Sequence, residues 1–166
     1  MNTVCRKRAL AGLLTGLLAA AAGGAPAAVT VVFSHPEHYR DMPFAPSERA
    51  RVLKDLGDYF VSLGKDLPPG QDLRVEVTDL DMAGRIHPNV GGQDLRVLRG
   101  GADWPHMALR FRLESNGRAI AGGEESLSDM NYLNRLNRLA DGDTLRYEKR
   151  MIDDWFKNKF VARKQG

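Results

Sequence analysis

The chain has 166 residues, a formal charge of +3 from 24 Lys and Arg against 21 Asp and Glu, and one cysteine. That length allows one domain with a real core, and a lone cysteine excludes an internal disulfide framework. Arg6, Lys7 and Arg8 supply the whole cationic excess, so the basic balance gives no warrant for nucleic-acid binding once they are set aside.

Those three residues open a leader. An apolar run from Ala9 to Ala22, interrupted only by Gly12, Thr15 and Gly16, leads to Ala25-Pro26-Ala27, the pattern of a secretory signal peptide with a small-residue cleavage site. The run is shorter than the roughly 20 apolar residues that span a bilayer. Residues 1–27 are therefore predicted to be cleaved, leaving residues 28–166 as a single α+β domain with no transmembrane anchor. Cys5 leaves with the leader, and it precedes the apolar run rather than ending it. The expected product is periplasmic, is not a lipoprotein, and has neither a thiol nucleophile nor a Cys-ligated metal.

Val29-Thr30-Val31-Val32-Phe33 alternates as a first strand with Val29, Val31 and Phe33 on one face. Ser34 to Pro46 is polar and proline-punctuated, and reads as a loop. Its His35, Glu37, His38 and Asp41 are metal-ligating types, but the spacing that would put both rings on one helix face is absent, so a surface turn is expected. From Ser47, taken as N-cap with Glu48 in the first turn, Val52, Leu53, Leu56, Phe60 and Leu63 recur at helical spacing. Gly64 and Leu67-Pro68-Pro69-Gly70 end that helix.

The next strand carries Leu73, Val75 and Val77 on its inward face, and in phase with them come Asp79 and Asp81. Burying unpaired carboxylates is prohibitive. A bulge near Thr78-Asp79 turns both acids outward and returns Leu80 and Met82 to the core. Two acids at i and i+2 on one strand face can share a divalent cation, which makes Asp79 and Asp81 the metal candidates. A solvated strand end is the plainer account of the same two residues.

Gly84 to Pro105 is a glycine-rich connection with one short strand candidate, Leu95 to Leu98; connections this long are uncommon in compact domains. Arg85, His87, Arg96, Arg99, Asp103 and Trp104 lie in it and are the candidate ligand-binding residues. The arginines suit an anion, while Trp104 serves either as a core anchor or as a stacking surface. Met107, Leu109, Phe111 and Leu113 then alternate toward Asn116-Gly117, a type I′ hairpin signal. Ser115 is predicted opposite Arg118, Leu113 opposite Ile120 and Phe111 opposite Gly122. Ser128 or Asp129 is predicted to cap a helix bearing Leu133, Leu136 and Ala140. Asp141-Gly142-Asp143 breaks it, and Asp143 caps a last helix with Leu145, Met151, Ile152, Trp155, Phe156 and Phe160 in an apolar stripe.

No fixed-period repeat and no linker divides the chain. The element order predicts an α+β fold, a mostly antiparallel sheet of about four strands with two or three helices packed on one face. There is no Gly-x-Ser-x-Gly and no nucleotide-binding glycine pattern.

Asp79-Leu80-Asp81-Met82-Ala83-Gly84, Asp103-Trp104-Pro105, Ser128-Asp129-Met130-Asn131-Tyr132 and Leu145-Arg146-Tyr147-Glu148-Lys149 occur in this order. The set resembles a family of secreted bacterial proteins, domain of unknown function 3016. The resemblance spans the chain from the Phe33 region to Phe160 and implies a Gram-negative, periplasmic or otherwise secreted product. It supplies no reaction, cofactor or catalytic residue. Its first motif has counterparts of Pro36-Glu37 and Asp41 but not of two histidines.

The reading that follows is a non-catalytic binding or interaction domain of the cell envelope, with no cofactor, whose partner is an envelope protein or a small ligand. Its binding surface is expected within Gly84 to Trp104. The alternative is a metal-dependent hydrolase using Asp79 and Asp81, with His87 or Asp103 as a further ligand; it requires His87, Asp103 and His106 to fold back onto the two acids.

Overall fold

The computed structural model describes residues 26–87 and 95–161; the predicted leader lies outside them apart from its last two residues. In chain order come strand β1 (Ala28–Phe33), helix α1 (Pro46–Ser62), and strands β2 (Gln71–Asp81), β3 (Arg85–His87), β4 (Leu95–Val97), β5 (His106–Ser115) and β6 (Arg118–Ser128). Helix α2 (Arg146–Phe156) follows and runs into a π turn over Lys157–Val161. The main sheet has the order β1-β2-β5-β6, and β3 pairs with β4 as a separate ribbon. β1 lies parallel to β2, with α1 as the crossover between them, and the other pairings are antiparallel. The fold is α+β, as the element order predicts.

One face of the sheet holds the core. Leu73, Val75, Val77, Met107, Leu109, Phe111 and Leu113 point into it and are buried, as alternation along a half-buried strand requires. Leu56 and Phe60 of α1 and Ile152 and Phe156 of α2 are wholly buried in the same cluster. Trp155 meets Phe60 and Phe111 edge-on. Truncating Phe60 or Phe156 to Ala would cost about 3–5 kcal/mol. The opposite face is polar; there Arg110 bridges Glu124 at 2.8 Å and Glu76 at 3.9 Å across the ladder.

The bulge stands where the alternation breaks. Val77 pairs with Leu109 and Asp79 with Ala108, leaving Thr78 as the extra residue. Leu80 and Met82 return to the core at 0% and 2% exposure. α1 starts two residues earlier than predicted, with Pro46 as its first residue and Ala45 at the cap. Proline suits that place, since its missing N–H has no intrahelical partner to lose.

Three expectations are corrected. The hairpin has the predicted turn, with Asn116 at φ +50° and Gly117 at φ +75°, and Ser115 faces Arg118. A second bulge then shifts the register, so Leu113 faces Ala121, Phe111 faces Gly123, and Ile120 is left over and exposed. The predicted helix carrying Leu133, Leu136 and Ala140 is a series of turns. Its carbonyls are taken: Arg150 donates to the oxygens of Tyr132 and Arg135, at 2.7 and 2.9 Å. Its asparagines also bond locally, with Asn137 Oδ1 accepting from Leu139 N–H at 3.0 Å and Asn134 reaching Asn131 at 2.9 Å, the competition that makes Asn a poor helix residue. Thirdly, the short strand near Leu95 has a partner strand, β3, in a stretch read as loop.

Candidate functional site

The end of β2 is held by groups from all over the chain. Ala83 is the clearest case, because side chains satisfy both of its backbone groups. Its N–H donates to Glu148 Oε1 at 2.8 Å, and its carbonyl accepts Arg96 Nη1 at 2.6 Å. Arg96 also donates to the carbonyl of Asp41 at 2.8 Å. Gly84 follows at φ +81°, where a Cβ would lie 2.6 Å from the Val97 oxygen, so β4 can close over it only because the side chain is missing. Gly84 N–H donates to the Asp103 carbonyl at 2.8 Å.

Glu148 is 1% exposed. Burial pushes its carboxyl above the usual glutamate range, against the pull of the Ala83 N–H, its own backbone N–H and the Arg96 charge. Its Oε2 is buried without a hydrogen-bond partner. Asp103 goes the other way. Burial raises it, but the Arg99 N–H at 2.7 Å, the Tyr132 hydroxyl and the Gly101 N–H together outweigh burial and hold it below the ordinary value. Tyr132 is buried and its hydroxyl is pushed up to about 12, chiefly by burial. Its ring meets Tyr147 edge-on, and with Ala83 and half-buried Trp104 the two tyrosines form a small second core.

A buried ion pair fixes the neighbouring loop. Arg150 Nη2 lies 2.6 Å from Asp129 Oδ2, both residues being under 10% exposed. Asp129 N–H in turn donates to the Pro105 carbonyl. Breaking such a pair from one side is strongly destabilising.

Asp79 and Asp81 share the outward side of the bulged strand but do different things. Asp79 Oδ1 accepts the N–H of Leu80 at 3.0 Å. Asp81 faces the carboxylate of Asp41, brought there because Arg40 N–H donates to the Leu80 carbonyl at 2.9 Å. Arg85 bridges the two acids, bonded to Asp41 and 3.6 Å from Asp81. Burial and the Asp41 charge raise the Asp81 carboxyl, partly offset by Arg85. His106 pairs with Asp81 in the ladder, but its Nε2 is 2.9 Å from Ser126 Oγ, and His87 is exposed on the ribbon opposite Leu95. Among the described residues no group of three or more His, Cys, Asp or Glu is placed to hold a metal ion.

Of the predicted ligand-binding residues, Arg85, Arg96, Asp103 and Trp104 are brought together around Ala83 and Gly84. Arg99 contributes its backbone N–H, leaving an exposed guanidinium, and His87 stands apart. Four stretches far apart in sequence thus meet in one cluster: Ala83-Gly84, Asp103-Trp104, Asp129 to Tyr132, and Tyr147-Glu148. The chain matches the family described as "Protein of unknown function (DUF3016)" over residues 27–158. It belongs to the DUF3016 family. No curated protein matches it significantly.

In this DUF3016 domain the sequence reading named Asp41 but not its place beside Asp81, and it missed the roles of Glu148 and Arg150. Glu148 carried a visible signal. It falls in the helical phase of Leu145, Ile152 and Trp155, so a carboxylate occupies a core position of the apolar stripe. A buried carboxylate requires a partner, and that partner is Ala83.

Proposed function

We propose that this DUF3016 domain is a non-catalytic binding or interaction domain that is exported to the periplasm and serves the cell envelope. The observation that carries the reading is how the clustered polar side chains are used. Glu148, Arg96, Asp103 and Arg150 bond chiefly to backbone groups of Ala83, Asp41, Arg99, Tyr132 and Arg135. A catalytic constellation instead aims its polar groups at a shared point where a reacting atom can sit. Here the arrangement stiffens the β3–β4 ribbon at one end of the sheet, which suits a preorganised contact surface. The export leader expected from residues 1–27 places that surface in the envelope. No helix among the described residues is long and apolar enough to cross a membrane.

The test is photocrosslinking in intact cells from positions 87 and 95, both exposed on the ribbon. A discrete adduct with an envelope component is expected, lost in Arg96→Ala while the circular dichroism spectrum is kept. No adduct from either position, or an undiminished one in Arg96→Ala, overturns the ribbon as the binding surface.

A further inference from the structure

The described residues expose nine large hydrophobic side chains, and five of them crowd into two short segments: Leu95 and Leu98, and Met130, Leu133 and Leu136. The segments touch, since Leu133 packs so close to Gly100 that a Cβ there would lie 2.9 Å from its Cδ1. The second segment has a pattern that periodicity at helical or strand spacing does not show. Asn131-Tyr132-Leu133, Asn134-Arg135-Leu136 and Asn137-Arg138-Leu139 are three consecutive Asn-x-Leu triplets.

The triplets divide their labour. Their backbone carbonyls at Tyr132 and Arg135 are held from inside by Arg150, and Asn137 Nδ2 donates to the Arg146 carbonyl at 2.8 Å. The loop is therefore fixed rather than collapsed onto its own leucines. Leu136 is left 84% exposed and Met130 68%. An exposed leucine on a pinned loop loses nothing by being immersed in an apolar phase, and hydrophobic burial rewards it.

Most acids at this end are already committed, and Asp103 is buried against the Arg99 N–H. Asp129 is consumed by Arg150, Asp154 by Arg135, Asp141 by Arg146 and Asp143 by Lys149. Arg99 and Arg138 are exposed and form no ion pair among the described residues. Apolar side chains level with unpaired arginines are the composition of a surface that sits at the headgroup–acyl boundary of an anionic bilayer.

We propose that the Met130–Arg138 loop, with Leu98 and Arg99 beside it, docks this domain on anionic lipid. The inference rests on the envelope-binding reading above and names its partner. The leucines enter the interface, and the two arginines meet phosphate groups.

The test is co-sedimentation of residues 28–166 with vesicles of phosphatidylglycerol and phosphatidylethanolamine, against vesicles of phosphatidylcholine alone. Binding is expected only to the anionic vesicles and is expected to weaken as salt rises from low to physiological strength. Leu136→Asp and Arg138→Glu should each weaken it about tenfold, two decades together. Ile120→Asp, exposed near the hairpin turn at the other end of β6, should leave it unchanged. All three positions are on the surface, so the fold is checked simply by circular dichroism. Equal binding to both vesicle types, no binding to either, or an Ile120→Asp loss as large as that of Leu136→Asp overturns the proposal. A protein adduct in the ribbon crosslinking experiment together with no vesicle binding would sink the lipid partner and leave the envelope-binding reading standing.

Discussion

Glu148 and Arg96 hold opposite backbone groups of the same residue: the Ala83 N–H ends on the Glu148 carboxylate and the Ala83 carbonyl on the Arg96 guanidinium. Neither partner is a neighbour in sequence. Between them they close the end of β2 in a place where no strand or helix supplies the bonds that buried backbone requires.

This arrangement has a pH signature. The Glu148 carboxyl is raised in the folded state, first by burial, from an ordinary value of 4.5. The folded protein therefore holds this proton more tightly than the unfolded chain does. Its contribution is greatest below pH 4.5 and falls away as pH rises from there through the raised folded value. Urea melts from pH 4 to pH 8 should show that decline in the wild type and a flatter profile in Glu148→Gln, whose amide oxygen still accepts the Ala83 N–H. Parallel profiles for the two proteins would show that Glu148 does not titrate in this window. Glu148→Ala, which strands a buried N–H, should cost about 2–4 kcal/mol at pH 4 and less as pH rises.

Two glycines with positive φ should respond differently to alanine. At Gly84 a Cβ would meet the Val97 oxygen at 2.6 Å and Leu98 Cδ2 at 2.7 Å, whereas at Gly117 nothing lies within 4 Å. Gly117→Ala should cost about 1 kcal/mol, the strain of the left-handed backbone alone. Gly84→Ala should cost at least twice that and should release the ribbon, seen as faster amide exchange at residues 95–97. Equal losses at the two positions would mean that β4 moves aside freely.

Much of this was legible beforehand, and the misses have particular causes. Alternation located β1, β2, β5 and the inward face, and the out-of-phase Leu80 and Met82 located the first bulge. The second bulge could not be read, because Ile120, Ala121, Gly122 and Gly123 offer no alternation to break. The loop at residues 129–140 reads as a helix because leucines three apart fit a helical stripe; what melts it is Arg150, whose reach depends on a fold that spacing does not encode. The Arg85, Arg96 and Asp103 cluster was visible as a set of polar residues in one loop. Their engagement with backbone rather than with a ligand depends on Ala83 and Asp41 being brought alongside.

Arg150→Met tests the loop directly. It leaves Asp129 buried with only Arg135 Nη1, 3.4 Å away, as a cation, so the cost should reach at most the ~3–5 kcal/mol of a broken buried pair. It also frees the carbonyls of Tyr132 and Arg135. Limited trypsin digestion should then cut after Arg135 or Arg138 many times faster than in the wild type. Unchanged cutting would mean that the asparagine bonds alone hold the loop.

Thr78 invites a deletion. Without it, Val77, Asp79, Leu80, Asp81 and Met82 alternate perfectly, and the pairing of Val77 with Leu109 and Asp79 with Ala108 already skips it. Deleting Thr78 should therefore cost little beyond its bond to the Ala108 carbonyl, about 1 kcal/mol. Deleting Val75 slips half the strand's apolar set to the wrong face and should prevent folding. A large loss for the Thr78 deletion would assign the bulge a shape requirement of its own.

The Ala83–Glu148 bond also bears on when the molecule becomes whole. It spans 65 positions, and closing so long a loop is entropically slow compared with joining β5 to β6 across a two-residue turn. A chain emerging from its N-terminus can pair β1 with β2 through α1 early, but the amide of Ala83 stays open until the final helix arrives. In pulsed hydrogen exchange during refolding, that amide should be among the last to gain protection, after those of the β5–β6 hairpin. Loss of α2 by proteolysis or early termination would accordingly strip part of the cover from the sheet and loosen the ribbon in the same step.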